Sequence, residues 1–294
     1  MEWIEARTLV TKNKSKAWFG TDYNMNIYRG CCHGCIYCDS RSACYGTEDF
    51  DRVRAKARAL ELIRDDLRRK TKKGVVATGA MSDPYNPLEA EHQLTRHALE
   101  LLYAYGFGAA VCTKSDLVAR DLDVLEDIQR AAPVLVKFTV TTADEALAAK
   151  VEPGAPPPVR RFAALEKLAE AGIKTGVLLM PVLPFLEDSE KNVTDVVNRA
   201  ADNGARFVYA YFGVTLRQNQ REWYYAALDR IAPGLKERYA ARYGERYSCL
   251  SPKVSRLKEA FEAACERRGL LWTMPAIIQD YQLPYRTDQM TLFE

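Results

Sequence analysis

Much is absent from this 294-residue sequence, and each absence removes a class of protein. The N-terminus, Met1-Glu2-Trp3-Ile4-Glu5, has no basic stretch followed by an apolar one, so no export signal is expected. The most apolar run, Val177–Leu186, is short and broken by Pro181 and Pro184, so it cannot span a bilayer. A cytoplasmic protein with no membrane association is expected. Neither GxGxxG nor GxxxxGKS occurs, which removes the main support for a Rossmann or P-loop nucleotide site. No segment has low complexity. Charge of one sign is also scarce: 42 Lys+Arg against 39 Asp+Glu leave +3, which neither demands nor excludes nucleic acid. Hydrophobic residues at 48% and charged residues at 28% are ordinary for a globular protein.

Against that background cysteine stands out. Of 8 cysteines, four fall between Cys31 and Cys38, a clustering that points to metal chemistry in a reducing compartment rather than to a disulfide framework. Cys31, Cys35 and Cys38 are spaced Cys-x3-Cys-x2-Cys, close enough for one short loop to bring three thiolates to one site. Soft sulfur ligands select iron–sulfur clusters, zinc or copper(I). A cubane cluster is usually held by four cysteines, so a cradle of three leaves one iron open to a substrate or cofactor. The competing arrangement is a zinc site with Cys32, His33 or Cys44 as fourth ligand. Zinc sites usually pair two ligand knuckles across a longer spacer, and no second Cys/His knuckle follows here.

From Asn24 to Tyr211 the chain alternates strand and helix patterns. Strands are expected over Asn24–Arg29, Gly74–Ala80, Gly108–Cys112, Val134–Thr141, Ile173–Met180 and Ala205–Tyr211. Helices are expected over Phe50–Lys73, Glu91–Tyr105, Asp116–Arg130, Asp144–Lys150, Arg160–Ala171 and Asp188–Asn203. About six β–α repeats imply an α/β fold with a parallel sheet, a partial (β/α)6 barrel over residues 1–215. Residues 1–20 read as a polar lead-in. After a soft boundary near 215, residues 216–294 read as a helical C-terminal extension with helices Arg217–Ala232, Leu235–Tyr243 and Ser251–Arg268 and an irregular tail from Leu270.

A barrel of this kind works at the carboxyl ends of its strands. The first strand delivers the cysteine loop. The second delivers Ser82-Asp83, acceptors for an ammonium group; the third Thr113-Lys114-Ser115, whose lysine suits a carboxylate. The fourth carries Thr139, Thr141 and Thr142, hydroxyls suited to ribose. The fifth ends at Met180, apolar and suited to an adenine edge, and the sixth carries Tyr209 and Tyr211. Taken singly, Asp83 before Pro84 also reads as a turn, and Ser115 as a helix N-cap.

The run Tyr28-Arg29-Gly30-Cys31 with Cys35-Ile36-Tyr37-Cys38, together with Ser82-Asp83-Pro84-Tyr85, resembles the radical S-adenosylmethionine (SAM) superfamily and, within it, the spore photoproduct lyase-like family. The likeness runs over roughly residues 18–215 and beyond. It implies a [4Fe-4S] cluster on Cys31, Cys35 and Cys38, SAM chelating the open iron, and a 5′-deoxyadenosyl radical that abstracts hydrogen. It also implies an electron donor of the flavodoxin or ferredoxin type. Tyr37, Ser82, Asp83, Lys114, Ser115, Thr139, Thr141 and Met180 become candidate SAM contacts. Glu152-Pro153-Gly154 and Arg160-Arg161 also resemble family landmarks, Arg161 either meeting the SAM carboxylate or capping a helix. The expected activity is a lyase-like DNA repair or modification reaction. The alternatives are the same chemistry on a small molecule, peptide or RNA, and a non-enzymatic zinc-stabilised nucleic-acid-binding protein. The lyase that names the family carries a hydrogen-donating cysteine two residues before the matching Ser-Asp. Here that position is Ala80, which leaves Cys112, Cys249, Tyr209 and Tyr211 as candidate donors.

Two C-terminal features bear on partners. Arg238-Tyr239, Arg242-Tyr243 and Arg246-Tyr247 recur every four residues. This is either a stacking and phosphate-binding surface for DNA, or tyrosines packed on the barrel with arginines on a solvated flank. The tail, with Gln289, Leu292 and Phe293, resembles the Gln-x-x-Leu-Phe peptide by which bacterial replication and repair proteins dock on the sliding clamp.

Overall fold

Six short strands, five of them rich in valine, alanine and leucine, lie side by side in parallel, as the near-continuous apolar character of those five requires. The computed structural model describes residues 2–285. The central sheet runs Phe207–Ala210, Thr175–Leu179, Val134–Thr139, Gly108–Thr113, Val75–Thr78, Tyr23–Met25 and then Val10–Lys12, with only the last pair antiparallel. It curves without closing, so the expected partial barrel is the fold.

Helices Ala59–Arg69, Leu94–Ala104, Leu122–Gln129, Pro158–Glu170 and Glu190–Asp202 cover its outer face. The last shows how such a helix is specified. Ser189 Oγ accepts from Asn192 N–H at its start, and Val193, Val196, Val197 and Ala200 repeat at helical spacing and are fully buried. Each such valine contributes about 1.5–3 kcal/mol by leaving water. The inner face follows the strand alternation. Val134, Val136 and Phe138 point to the helices, while Leu135 packs inward with Val75, Ala110, Leu178 and Phe207.

Four expectations need correction. Residues 50–73 are not one helix: Arg54–Lys56 is a strand between Glu2–Ile4 and Tyr28–Arg29, and the helix begins only at Ala59. Pairing buries Ala55 completely, which outweighs the helical spacing of Val53, Ala57 and Leu60. The segment 24–29 is correspondingly two strands, Tyr23–Met25 in the main sheet and Tyr28–Arg29 in the small one. Residues 1–20 are not a plain lead-in, since they supply Glu2–Ile4 and the edge strand Val10–Lys12. The region after Leu270 is not wholly irregular: Met274–Gln282 is a helix with Pro275 in its first turn, and its Ile277 and Tyr281 fill the amino-terminal end of the barrel beside Phe19.

Beyond residue 212, Gly213–Thr215 pairs antiparallel with Ser248–Leu250, and helices Gln220–Ile231 and Leu235–Tyr243 pack around them. Tyr224, Tyr239 and Tyr243 are buried there together with Cys35, Ile36 and Tyr37 of the cysteine loop. Of the Arg–Tyr repeat, Tyr239 and Tyr243 therefore serve packing, and only Tyr247 stays exposed. Helix Val254–Arg268 returns to the main core through Leu257, Phe261, Ala264 and Cys265. The residues Gln289, Leu292 and Phe293 lie outside the described residues.

Candidate functional site

The cysteine loop is shaped by glycine and clamped by backbone hydrogen bonds. Gly30 has φ +82°, and a Cβ there would lie 2.4 Å from Arg52 O and 2.7 Å from Phe50 O. Cys31 N–H donates to Phe50 O at 2.8 Å, Ile36 N–H to Val151 O at 3.0 Å and Gly154 N–H to His33 O at 2.8 Å. The segment Glu152-Pro153-Gly154 is thus the loop's clamp. Gly154 is needed because a Cβ would sit 2.4 Å from Cys32 O.

Behind the loop lies a buried polar knot. Tyr37 Oη donates to Glu152, and Arg161 Nη1 lies 2.6 Å from Glu152 Oε2. Arg161 also donates to Pro156 O at 2.7 Å and Thr139 O at 2.9 Å. Burial pushes the Glu152 carboxyl up, but Arg161 and then Lys114 outweigh that and hold it below the usual range.

Cys31, Cys35 and Cys38 open onto one recess of ≈ 120 Å³. Burial pushes the Cys31 thiol up to about 12 and raises Cys35 and Cys38 as well. Thiols in such a place ionise when a cation arrives, which is how metal binding releases protons. A recess ringed by three thiols from one loop fits the cluster that a three-cysteine cradle holds. The zinc alternative does not fit. Of the fourth ligands a zinc ion would need, Cys32 does not line the recess. His33 is instead turned to Asp83, with Nδ1 3.5 Å from Oδ2, and Cys44 is exposed beside Arg217.

Tyr37, Ser82, Asp83, Lys114 and Thr139 line the same recess, so the ends of four strands meet there. Asp83 is largely engaged in shaping it. Its Oδ1 accepts from Tyr85 N–H at 2.9 Å and Thr113 Oγ1 at 2.6 Å, and its Oδ2 from Lys114 N–H at 2.7 Å. Ser82 Oγ donates to Tyr28 O at 3.1 Å. The Lys114 ammonium sits 5.5 Å from the Tyr37 ring centre. Burial lowers its pKa, but Cys35 and Glu152 more than compensate and hold it charged.

The recess opens into a cavity of ≈ 770 Å³ through shared Tyr37, Cys38, Gly79, Ala80 and Cys112. Met180 and Tyr211 line this larger space, with Tyr211 Oη 2.8 Å from Ser248 Oγ. Five sequence candidates lie elsewhere. Ser115 caps the turn Asp116–Asp121, accepting from Leu117 N–H at 3.3 Å. Thr141, past the end of the strand at Thr139, donates to Glu187 at 2.7 Å. Arg161 is consumed by Glu152 and by the two carbonyls. Cys249 is buried in the C-terminal core, its thiol 3.6 Å from Arg246 O. Tyr209 packs edge-on against Trp18 and Phe19. Sequence reading missed Asn13, Trp18 and Asn24, which wall the cavity from the N-terminal segment, and Lys137 on its floor. Only Lys137 carried a signal: a lone charge inside the apolar run Val134-Leu-Val-Lys-Phe-Thr139.

The family model described as the radical SAM superfamily matches residues 25–214. The chain belongs to the radical SAM superfamily. Radical SAM proteins use a [4Fe-4S] cluster and SAM, so this one is an enzyme with those cofactors, and such enzymes need a reductant. An uncharacterized protein of Mycobacterium tuberculosis is 33% identical over 228 residues, covering 75% of this chain and 67% of the relative. An uncharacterized protein of Methanocaldococcus jannaschii is 31% identical over 171 residues, 58% of this chain and 64% of its own. Among solved structures, a variant of spore photoproduct lyase superposes with TM-score 0.69 at 18% identity, over 92% of this chain and 82% of that one. The radical SAM methyltransferase TsrM from Kitasatospora setae, with cobalamin and [4Fe-4S] cluster bound, gives TM-score 0.58 at 12% identity, over 92% and 58%. The fold of this radical SAM enzyme is therefore that of spore photoproduct lyase. No helix among the described residues is long and apolar enough to cross a membrane.

Proposed function

We propose that Cys31, Cys35 and Cys38 hold the cluster and that the enzyme repairs or modifies DNA in a photoproduct lyase-like reaction. The observation that supports this most is the continuity of the three-thiol recess with a cavity of ≈ 770 Å³, walled by an exposed Trp18 and floored by strands. A cavity of this size is large enough for a drug-sized ligand and more. A structure of spore photoproduct lyase in complex with a dinucleoside spore photoproduct shares the fold at TM-score 0.67.

When bound, the cluster and SAM supply hydrogen abstraction by a carbon radical. The chain's own part is to bind, orient and exclude water. Lys114, a buried cation lining the recess, would receive the carboxylate of SAM, Thr139 would offer a hydroxyl, Tyr37 and Met180 would offer flat or apolar surface, and the clamp through Glu152 and Arg161 fixes Tyr37. Since Ala80 stands where a donor cysteine is expected, Cys112 takes that role. It lies on the neighbouring strand and faces both recess and cavity, its Sγ 4.0 Å from Thr139 Oγ1. Tyr211 is the second donor candidate, on the cavity wall. Within this reading the protein is cytoplasmic, takes electrons from a flavodoxin or ferredoxin type donor, and docks on the sliding clamp through Gln289, Leu292 and Phe293.

The test is deoxyadenosine release by the anaerobically reduced holoenzyme, with and without ultraviolet-irradiated DNA. Release that rises with irradiated DNA supports the reading. Release that ignores DNA and rises instead with a small molecule, peptide or RNA moves the enzyme to that class.

A further inference from the structure

Lys137 occupies an unusual position for a lysine. It lies in the middle of the central strand Val134–Thr139, between inward-facing Leu135 and Thr139, and is 3% exposed. Its strand neighbours in register are Cys112 on one side and Gly176 on the other. Its ammonium lies 4.8 Å from the centre of the Phe19 ring, which closes the barrel below it. Its upper side faces the large cavity.

A buried ammonium is costly unless a negative group meets it. Among the described residues no carboxylate lies within salt-bridge distance of Lys137; the only titratable group that acts on it is the Cys112 thiol. Burial pushes the ammonium down to about 8, so it is still mostly charged at neutral pH. The other charged side chains of the cavity do not help. Lys14 has the same sign, and Asp39 is already engaged by Arg217 at 3.3 Å and by Tyr45 at 3.0 Å. SAM, with one net positive charge, would be offset by an oxidised cluster on three thiolates, with one net negative charge, so together the cofactors do not neutralise Lys137. An Ala or Leu would pack better on Phe19, as Ala110 and Leu178 do on the adjoining strands. The cavity lining therefore includes a lysine without a counter-charge, held on a central strand.

We propose that Lys137 is a substrate-binding residue that receives a singly charged oxyanion, and that the substrate enters the barrel with such a group leading. On the DNA reading given above, on which this choice of oxyanion rests, the group is the phosphodiester joining two nucleotides. One ammonium neutralises one such charge. Trp18 and Asn24 on the wall then face the bases.

The experiment measures binding of thymidylyl-thymidine and of its uncharged methylphosphonate analogue to the cluster-loaded, SAM-bound enzyme and to K137M. The wild type is expected to favour the charged ligand by at least about tenfold, as a charge-assisted contact implies. K137M is expected to bind the two alike. It should also melt at the same temperature or higher, because it removes an unpaired buried charge; a merely structural lysine would lower it. Equal affinities in the wild type, or a preference kept by K137M, overturn the proposal. If neither ligand binds the wild type, the DNA reading fails. Lys137 is then judged by crystals of the holoenzyme soaked in sodium bromide. An anomalous peak at Lys137 Nζ that is missing in K137M supports an anion site that takes a smaller carboxylate substrate, and no peak overturns the site.

Discussion

The two ends of the barrel are built from the same strands and could hardly be more different. At the amino-terminal end the inward positions are Val75, Ala110, Leu135 and Phe207, sealed by Phe19, Ile277 and Tyr281. At the carboxyl end the same faces present Gly79, Cys112, Thr139 and Met180 to open space. One strand shows the whole gradient: Leu135, Lys137 and Thr139 step inward two residues apart, from plug to cavity floor to thiol-lined recess. Stability is concentrated at one end and chemistry at the other, and the hydrogen-bonded sheet carries both without compromise because alternate residues face the helices throughout. Changes at the two ends should therefore have separable consequences.

The largest effect is expected at the thiols. Cys35→Ala should remove the iron–sulfur absorbance and bring deoxyadenosine release to background, while the melting temperature of the metal-free protein changes little. Retained cluster with this variant would show that the thiol is not a ligand. Next comes the clamp. Glu152→Gln leaves Arg161 buried without its counter-charge, and losing one partner of a buried pair costs about 3–5 kcal/mol. Denaturant unfolding of the metal-free variant reads this. The same pair sets an acid limit. The Glu152 carboxyl is held below its ordinary 4.5, so its contribution is complete above that value and is lost as pH falls through the lower folded value. A stability profile that is flat in acid for wild type, or equally steep for Glu152→Gln, contradicts this.

At the sealed end, Ile277→Ala should cost about 2–5 kcal/mol while leaving iron content per folded chain and SAM affinity unchanged. A selective loss of SAM binding there would erase the distinction between the ends. The smallest effect separates a cap from a ligand. Ser115→Ala should cost about 1 kcal/mol, the usual value of an N-cap, with SAM affinity intact. Unchanged stability with weakened SAM binding would return Ser115 to the site.

The strands and the thiol loop were legible in the sequence because short apolar runs between glycine or proline turns and a Cys-x3-Cys-x2-Cys spacing are local signals. What sequence could not show was which polar residues near a strand's end turn inward. Thr139 and Thr141 look alike in the chain, yet Thr139 reaches the recess and Thr141 meets Glu187, because the strand ends at Thr139 and Thr141 lies beyond it. Arg161 looked like a carboxylate ligand; its partner is Glu152, nine residues earlier, and only the fold brings the two together under Tyr37. Arg54–Lys56 and Glu2–Ile4 hid in polar sequence, since their pairing depends on partners distant along the chain. The helix Met274–Gln282 carries Pro275 as its start signal, but Thr273 before it makes no capping hydrogen bond to reinforce that signal.

The central claim is that three thiols hold a cluster whose free corner takes SAM. Electron paramagnetic resonance of the anaerobically reconstituted, reduced protein tests it directly. A [4Fe-4S] signal whose g values shift on addition of SAM, and which is absent in Cys35→Ala, is the predicted result. A signal indifferent to SAM, or a protein holding one zinc and no iron, would contradict it.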